Sequence, residues 1–204
     1  MTFPIARSGN SDPMKITPSS DAISSFGRAT QDVGVGAIIG GNLFARVGMH
    51  PAMRKVSDPG QRGSVVNDAW RRYGTINTLS LVAIVAGWAG ARADEASPVM
   101  LSEDERKLAL AKDVCVGLVV TTGLAAAAAG VAFGQMEPDG AVPLTDGDTA
   151  APEATESEAK TKRALSMIGA AHLASAVALA GTNAALSQLS FRRPPARRLL
   201  RRRY

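Results

Sequence analysis

The sequence has a single cysteine, two histidines, two Trp, two Tyr and five Phe among its 204 residues. One thiol, Cys115, excludes an internal disulfide framework. With only His50 and His172 available, no Cys/His cluster can be assembled for structural zinc, so the sequence implies no metal and no cofactor. Glycine-rich phosphate loops, the G-x-S-x-G elbow and the H-E-x-x-H helix are all missing, which removes the commonest signatures of nucleotide, serine-hydrolase and zinc-protease chemistry. The first 25 residues carry Pro4, Pro13 and Pro18 among many Ser and Thr, with no apolar run of signal-peptide length. The expectation is that no secretory signal is cleaved from this chain and that its own helices direct insertion.

The most informative shortage is local. Charged residues make up 20% of the chain, with a formal net charge of +5 and a mean hydropathy of +0.03, which resembles an ordinary soluble protein. Yet no Asp, Glu, Lys or Arg falls in residues 73–91, 114–136 or 164–191. As helices these runs measure about 28, 34 and 42 Å at 1.5 Å per residue, against a hydrocarbon core of roughly 30 Å. A soluble amphipathic helix needs a charged outer stripe, and none of the three has one. A soluble all-α bundle is the competing reading, because the runs are rich in Ala. It fails on area: a chain of this size cannot bury three such helices and still cover them.

The fold class expected is therefore all-α, an integral membrane bundle of about four transmembrane helices. Residues 1–28 read as a disordered tail and 29–191 as the membrane domain. Spans are expected over about 32–49, 73–91, 114–136 and 164–191, the first crossing only if Arg46 snorkels. Tyr73 and Trp88 stand near the ends of the second span, where interfacial aromatics sit. The third helix opens with Ser102-Glu103-Asp104-Glu105, a capping box. Residues 137–163, with seven acids and Pro138, Pro143 and Pro152, read as an acidic, largely irregular loop with a helix restarting near Ala154. Residues 192–204 form an Arg-rich tail. Lys and Arg number 14 on the side of the two termini and 9 on the other, so the localisation expected is multi-pass in the cell membrane with both termini cytoplasmic.

Polar residues inside the runs are the candidates for function. His172 shares one half of the last helix with Ser175, Thr182, Asn183, Ser187 and Ser190, and an intramembrane ionisable group is a functional candidate by default. With Asn183, Asn42 and Asn77 it forms a candidate intramembrane polar pocket. The plainer reading is an interhelical hydrogen bond from His172 to Asn42 or Asn77. Gly36 and Gly40, with Gly41, and Gly130 with Gly134, have the four-residue spacing that lets helices approach closely. Packing within the bundle is the first reading, and a homo-oligomer or partner membrane subunit the second. Arg192, Arg193, Arg197, Arg198, Arg201, Arg202 and Arg203 lack aromatic platforms for nucleic acid. They read as an anchor to anionic headgroups of the bilayer.

His50-Pro51-Ala52 after a Gly-rich first span, followed by Trp70-x-x-Tyr73-Gly74 at the second, resembles the small four-span membrane family related to fungal anthrone oxygenases. The likeness covers about residues 34–90, and His50 and Trp70 are the matching positions. It implies a four-helix membrane bundle and an oxygenase acting on polycyclic phenols. Two functions follow as expectations. One is a structural, accessory or regulatory membrane protein acting through helix packing. The other is a membrane-embedded enzyme or small-molecule carrier with a pocket around His172.

Overall fold

Four long helices account for most of the computed structural model, which describes residues 20–95 and 103–191. They are α1 (Ser20–Phe44), α2 (Pro59–Glu95), α3 (Glu103–Gly134) and α4 (Glu156–Phe191). Among the described residues there is no strand, only an isolated bridge between Leu144 and Ala150. The long helices α2, α3 and α4 are each long and apolar enough to cross a membrane. Their apolar windows are mostly unburied, and Leu79, Val82, Leu124 and Val177 stand exposed, as expected of a surface that meets lipid rather than water.

The helix α1 starts at Ser20, well inside the stretch expected to be a tail. Its early turns have a partner: a Cβ on Gly27 would lie 2.9 Å from the Gly87 carbonyl of α2, and Ser24 is fully buried. Arg28, Gln31 and Asp32 interrupt α1 before its apolar run, so the stretch expected to span over 32–49 is helical but does not belong to a helix with an apolar run long enough to cross.

Two antiparallel pairs make the bundle, α1 along α2 and α3 along α4, joined through α1 against α4 and α2 against α3. Val35, Ile38, Leu81, Ile84, Val116, Val119, Ala176 and Leu179 form the common core, with contributions from all four helices. The Tyr73 side chain is turned toward α1, its hydroxyl donating to the Ala37 carbonyl at 2.7 Å, over Gly41 where no side chain could fit. Trp88 donates to Asp113 at 2.7 Å, and Arg92 closes on the same carboxylate, tying α2 to α3 at the end away from the 137–155 loop.

That loop is acidic and, as expected, without regular secondary structure beyond a 3-10 turn at Pro138–Gly140 and the Leu144–Ala150 bridge, yet it is tightly packed. Val142 and Leu144 are fully buried and pack with Val66 and Phe133. Asp139 and Gly140 both take positive φ, 55° and 66°, and the glycine leaves room for Asn67, which a Cβ would strike. The Asp146 carboxylate accepts from the amides of Asp148 and Thr149 at 2.8 Å each and from Arg54 at 3.1 Å. These bonds hold its pKa below the ordinary carboxylate value although burial pushes the other way. Arg62 donates to the carbonyls of Leu144 and Thr145 at 3.1 Å. The loop is a fastened cap over one end of the bundle. Ser102 of the expected capping box and the seven C-terminal arginines lie outside the described residues.

Candidate intramembrane pocket

Beneath the cap lies a cavity of about 850 Å³. Each wall follows from a local rule. On α1 and the helical residues that continue it to Ala52, Asn42, Arg46 and His50 recur every four residues and so share a side. Between them the chain widens into a π turn, Ala45–Met49, in which the His50 amide donates to the Ala45 carbonyl. Pro51 explains the widening, because its ring would strike the carbonyl four residues earlier in a regular α-helix and it has no N–H to offer. On α4, Lys162, Leu165, Ser166, Gly169 and His172 line one face over about 15 Å. The α2 wall is Trp70, Tyr73, Gly74 and Asn77, and the α3 wall Ala126, Gly130 and Phe133.

The cap end carries a charge cluster. Lys162, 4% exposed, donates to the Gly147 carbonyl at 2.9 Å and stands 5.5 Å over the Phe133 ring. Its nitrogen and His50 Nδ1 each lie 3.9 Å from Asp148, whose carboxylate oxygens are both 2.9 Å from Ser166 Oγ. Burial first, then the Lys162 cation, pushes the His50 pKa down, with Asp148 and Asp146 opposing. His50 is 7% exposed, its two ring nitrogens have no hydrogen-bond partner, and its ring lies 6.1 Å from Trp70, which meets Tyr73 edge-on at 5.6 Å. Arg46 reaches the Ser166 carbonyl at 3.4 Å and forms no ion pair among the described residues.

At the inner end His172 is 2% exposed, with Nδ1 3.1 Å from Thr122 Oγ1. The Thr122 hydroxyl has a short bond of its own to the Leu118 carbonyl at 2.6 Å. Its proton is thus committed, and in a neutral imidazole Nδ1 must be the donor to it. The lone pair is left on Nε2, which is buried without a partner. A histidine held this way can accept a proton or a hydrogen bond from a ligand. Gly123 makes the fit possible, since a Cβ there would sit 2.9 Å from the imidazole Cε1.

Of the pocket expected from sequence, His172, Asn42 and Asn77 come together in this wall, and His50 and Trp70 join them. Asn183 does not; its amide donates to Asp32 at 2.8 Å elsewhere in the bundle. Asn42 bonds the Ile38 carbonyl of its own helix at 2.9 Å, and the partner of His172 is Thr122 rather than either asparagine. Around Gly36, Gly40 and Gly130 a Cβ would meet nothing within 4 Å, so these glycines do not bring helices together inside the chain. Gly41 does, against Tyr73, while Gly134 abuts the Asn67 side chain. Arg46, Lys162, Asp148 and Ser166 were not expected here. The signal for two of them was available: Lys162, Ser166 and Gly169 continue toward His172 at helical spacing. Among the described residues, no group of His, Cys, Asp and Glu is placed to hold a metal ion. Comparison with protein-family models, curated proteins and solved structures gives no match for this chain.

Proposed function

We propose that this chain is a multi-pass protein of the cell membrane whose cavity binds a flat polycyclic phenol and supports oxygenase-type chemistry on it. The observation that carries the reading is His172, a cavity-wall imidazole whose Nδ1 is engaged and whose Nε2 is bare. In this reading Nε2 takes the phenolic proton, Arg46 balances the oxygen's negative charge, and Trp70 and Tyr73 flank the rings. The volume suits such a ligand, since pockets for small organic molecules run to roughly 300–1,000 Å³. The reaction class comes from the resemblance of His50-Pro51-Ala52 and Trp70-x-x-Tyr73-Gly74 to the anthrone oxygenase relatives. By the count of basic residues, the cavity end faces outward and the termini the cytoplasm.

The test uses a Trp88→Phe chain in lipid nanodiscs, where Trp70 is the only indole, titrated with 9-phenanthrol and with phenanthrene. Saturable loss of Trp70 emission with the phenol is expected, weakened roughly tenfold or more by His172→Ala or Arg46→Gln, the scale of one hydrogen bond to a charged group. Oxygen uptake should follow phenol addition. Equal binding of phenol and hydrocarbon, or none of either, would refute the reading.

A packing role has one observation in its favour. Gly36 and Gly40 leave the outer side of α1 open, beside Val33 and Phe44, which are exposed. A helix of a second copy or a partner subunit fits there. Gly40→Leu would then change the size of the detergent-extracted particle without disturbing phenol binding.

A further inference from the structure

The cavity differs on two of its sides. Toward the water-facing end it is covered, with Gly147 so close to His50 that a Cβ would lie 2.5 Å from the imidazole Cδ2. Between α2 and α3 it is not. Gly74 and Gly130 line it from those two helices, and a Cβ on either would meet nothing within 4 Å. Thr78 and Val131 line it as well and are exposed on the outer surface. All four positions fall within the charge-free runs 73–91 and 114–136, which the membrane reading sets against lipid, with Gly74 at the headgroup end.

We infer that the ligand of this cavity is a lipophilic molecule dissolved in the bilayer, which enters sideways between α2 and α3 past Gly74 and Gly130. The inference rests on reading the cavity as a ligand site and adds where the ligand comes from. Two independent features agree. The unpartnered nitrogens of His50 and His172 mark the interior as a place that receives polar groups, while the opening admits only what hydrocarbon dissolves. At the cap-side edge of the lining, Asp68 is paired with Arg71 and Arg72 at 2.7 and 2.8 Å along the exposed side of α2, so its charge is answered within that helix. A molecule with an apolar body and one acidic hydroxyl meets these conditions.

The route can be tested without the ligand. In the Trp88→Phe chain, Trp70 emission reports from the cavity wall. Vesicles of phosphatidylcholine with bromine on the acyl chains near the headgroup should quench it, and aqueous iodide should quench it less. Gly74→Leu and Gly130→Leu fill the gap where room exists for a side chain, and each should abolish the lipid-borne quenching with helix content unchanged; Ala127→Leu, on the same wall, is a third variant should either misfold. Quenching that survives these plugs, or iodide quenching that exceeds it, overturns the route. If the plugs remove the quenching but 9-phenanthrol never binds, the gap stands and the phenol reading falls. If phenol binds and the plugs do not slow its arrival, the site stands and the sideways route falls.

Discussion

Along α1, Gly27, Gly34 and Gly41 recur every seven residues, and on α2 Gly87, Ser80 and Tyr73 recur at the same interval in the opposite direction. At each level a missing side chain on α1 is filled by backbone or by a ring from α2. A Cβ on Gly34 would sit 2.7 Å from the Ser80 carbonyl, and Gly27 and Gly87 exclude one from each other. On the other flank of α2, Gly74 and the Gly130 of α3 adjoin a gap in which a Cβ would touch nothing. The same residue type closes one interface and holds another open. In lipid, where no hydrophobic force drives helices together, the first supplies the dispersion contact that associates α1 with α2. The second gives that contact up, which a stable bundle tolerates only where something else occupies the space.

The comparison breaks hardest at Gly34. Gly34→Leu forces a branched side chain onto a backbone carbonyl that cannot rotate away, and overpacking of this kind costs roughly 3 kcal/mol. The variant should lose its thermal transition in detergent or melt far below the parent, by circular dichroism. A Gly34→Leu chain as stable as the parent would mean that α1 does not lie on α2 in this register.

The cap comes next. Lys162→Met removes the cation that bonds the Gly147 carbonyl and faces Asp148. Asp148 keeps Ser166 and is about one-third exposed, 34%, so the loss falls below that of a fully buried pair. About 1–3 kcal/mol is expected in the same melting experiment. Proteolysis within residues 141–151 should quicken too, since the loop loses its fastening to α4.

A pH dependence follows from His50 and has a definite sign. Its folded-state pKa lies below the ordinary histidine value, chiefly through burial and then through Lys162. Below about pH 6.5 the unfolded chain therefore binds a proton that the folded chain refuses. Stability should be full above that value and fall as the pH drops through it, until the folded pKa is reached. His50→Gln should flatten the profile between pH 8 and 5. Lys162→Met, by removing a neighbouring cation, should move the fall to lower stability loss per unit of acid. A profile that steepens in His50→Gln would show that another group carries the effect.

Much of the fold was legible because hydrocarbon leaves a coarse mark: three charge-free runs became α2, α3 and α4. The loop over 137–155 is irregular, as its Pro138, Pro143 and acids imply, but its packing was not legible, because the burial of Val142 and Leu144 depends on Val66 and Phe133 far off in sequence. The site was half legible. His172, Asn42 and Asn77 stood out as polar groups inside apolar runs, whereas Arg46 and Lys162 sit at run boundaries, where a charge is ordinarily assigned to water. Gly36 and Gly40 drew attention by a four-residue spacing that one chain leaves unused. The working seam has a seven-residue spacing, and only the opposed heptad on α2 gives it meaning.

The smallest effect sharpens the comparison most, because it reverses sign. Gly74 is helical and unobstructed, so Gly74→Ala adds no clash and removes backbone freedom from the unfolded chain. It should stabilise by about 0.4–1 kcal/mol. Gly87→Ala, one substitution of the same chemistry on the same helix, should destabilise, because its methyl group meets the Gly27 carbonyl and the Gln31 backbone. Measured side by side in one detergent, the pair cancels whatever propensity contributes and leaves packing alone. If both variants shift the melting temperature in the same direction, α2 does not have one tight flank and one open one, and the sideways entrance loses its structural basis.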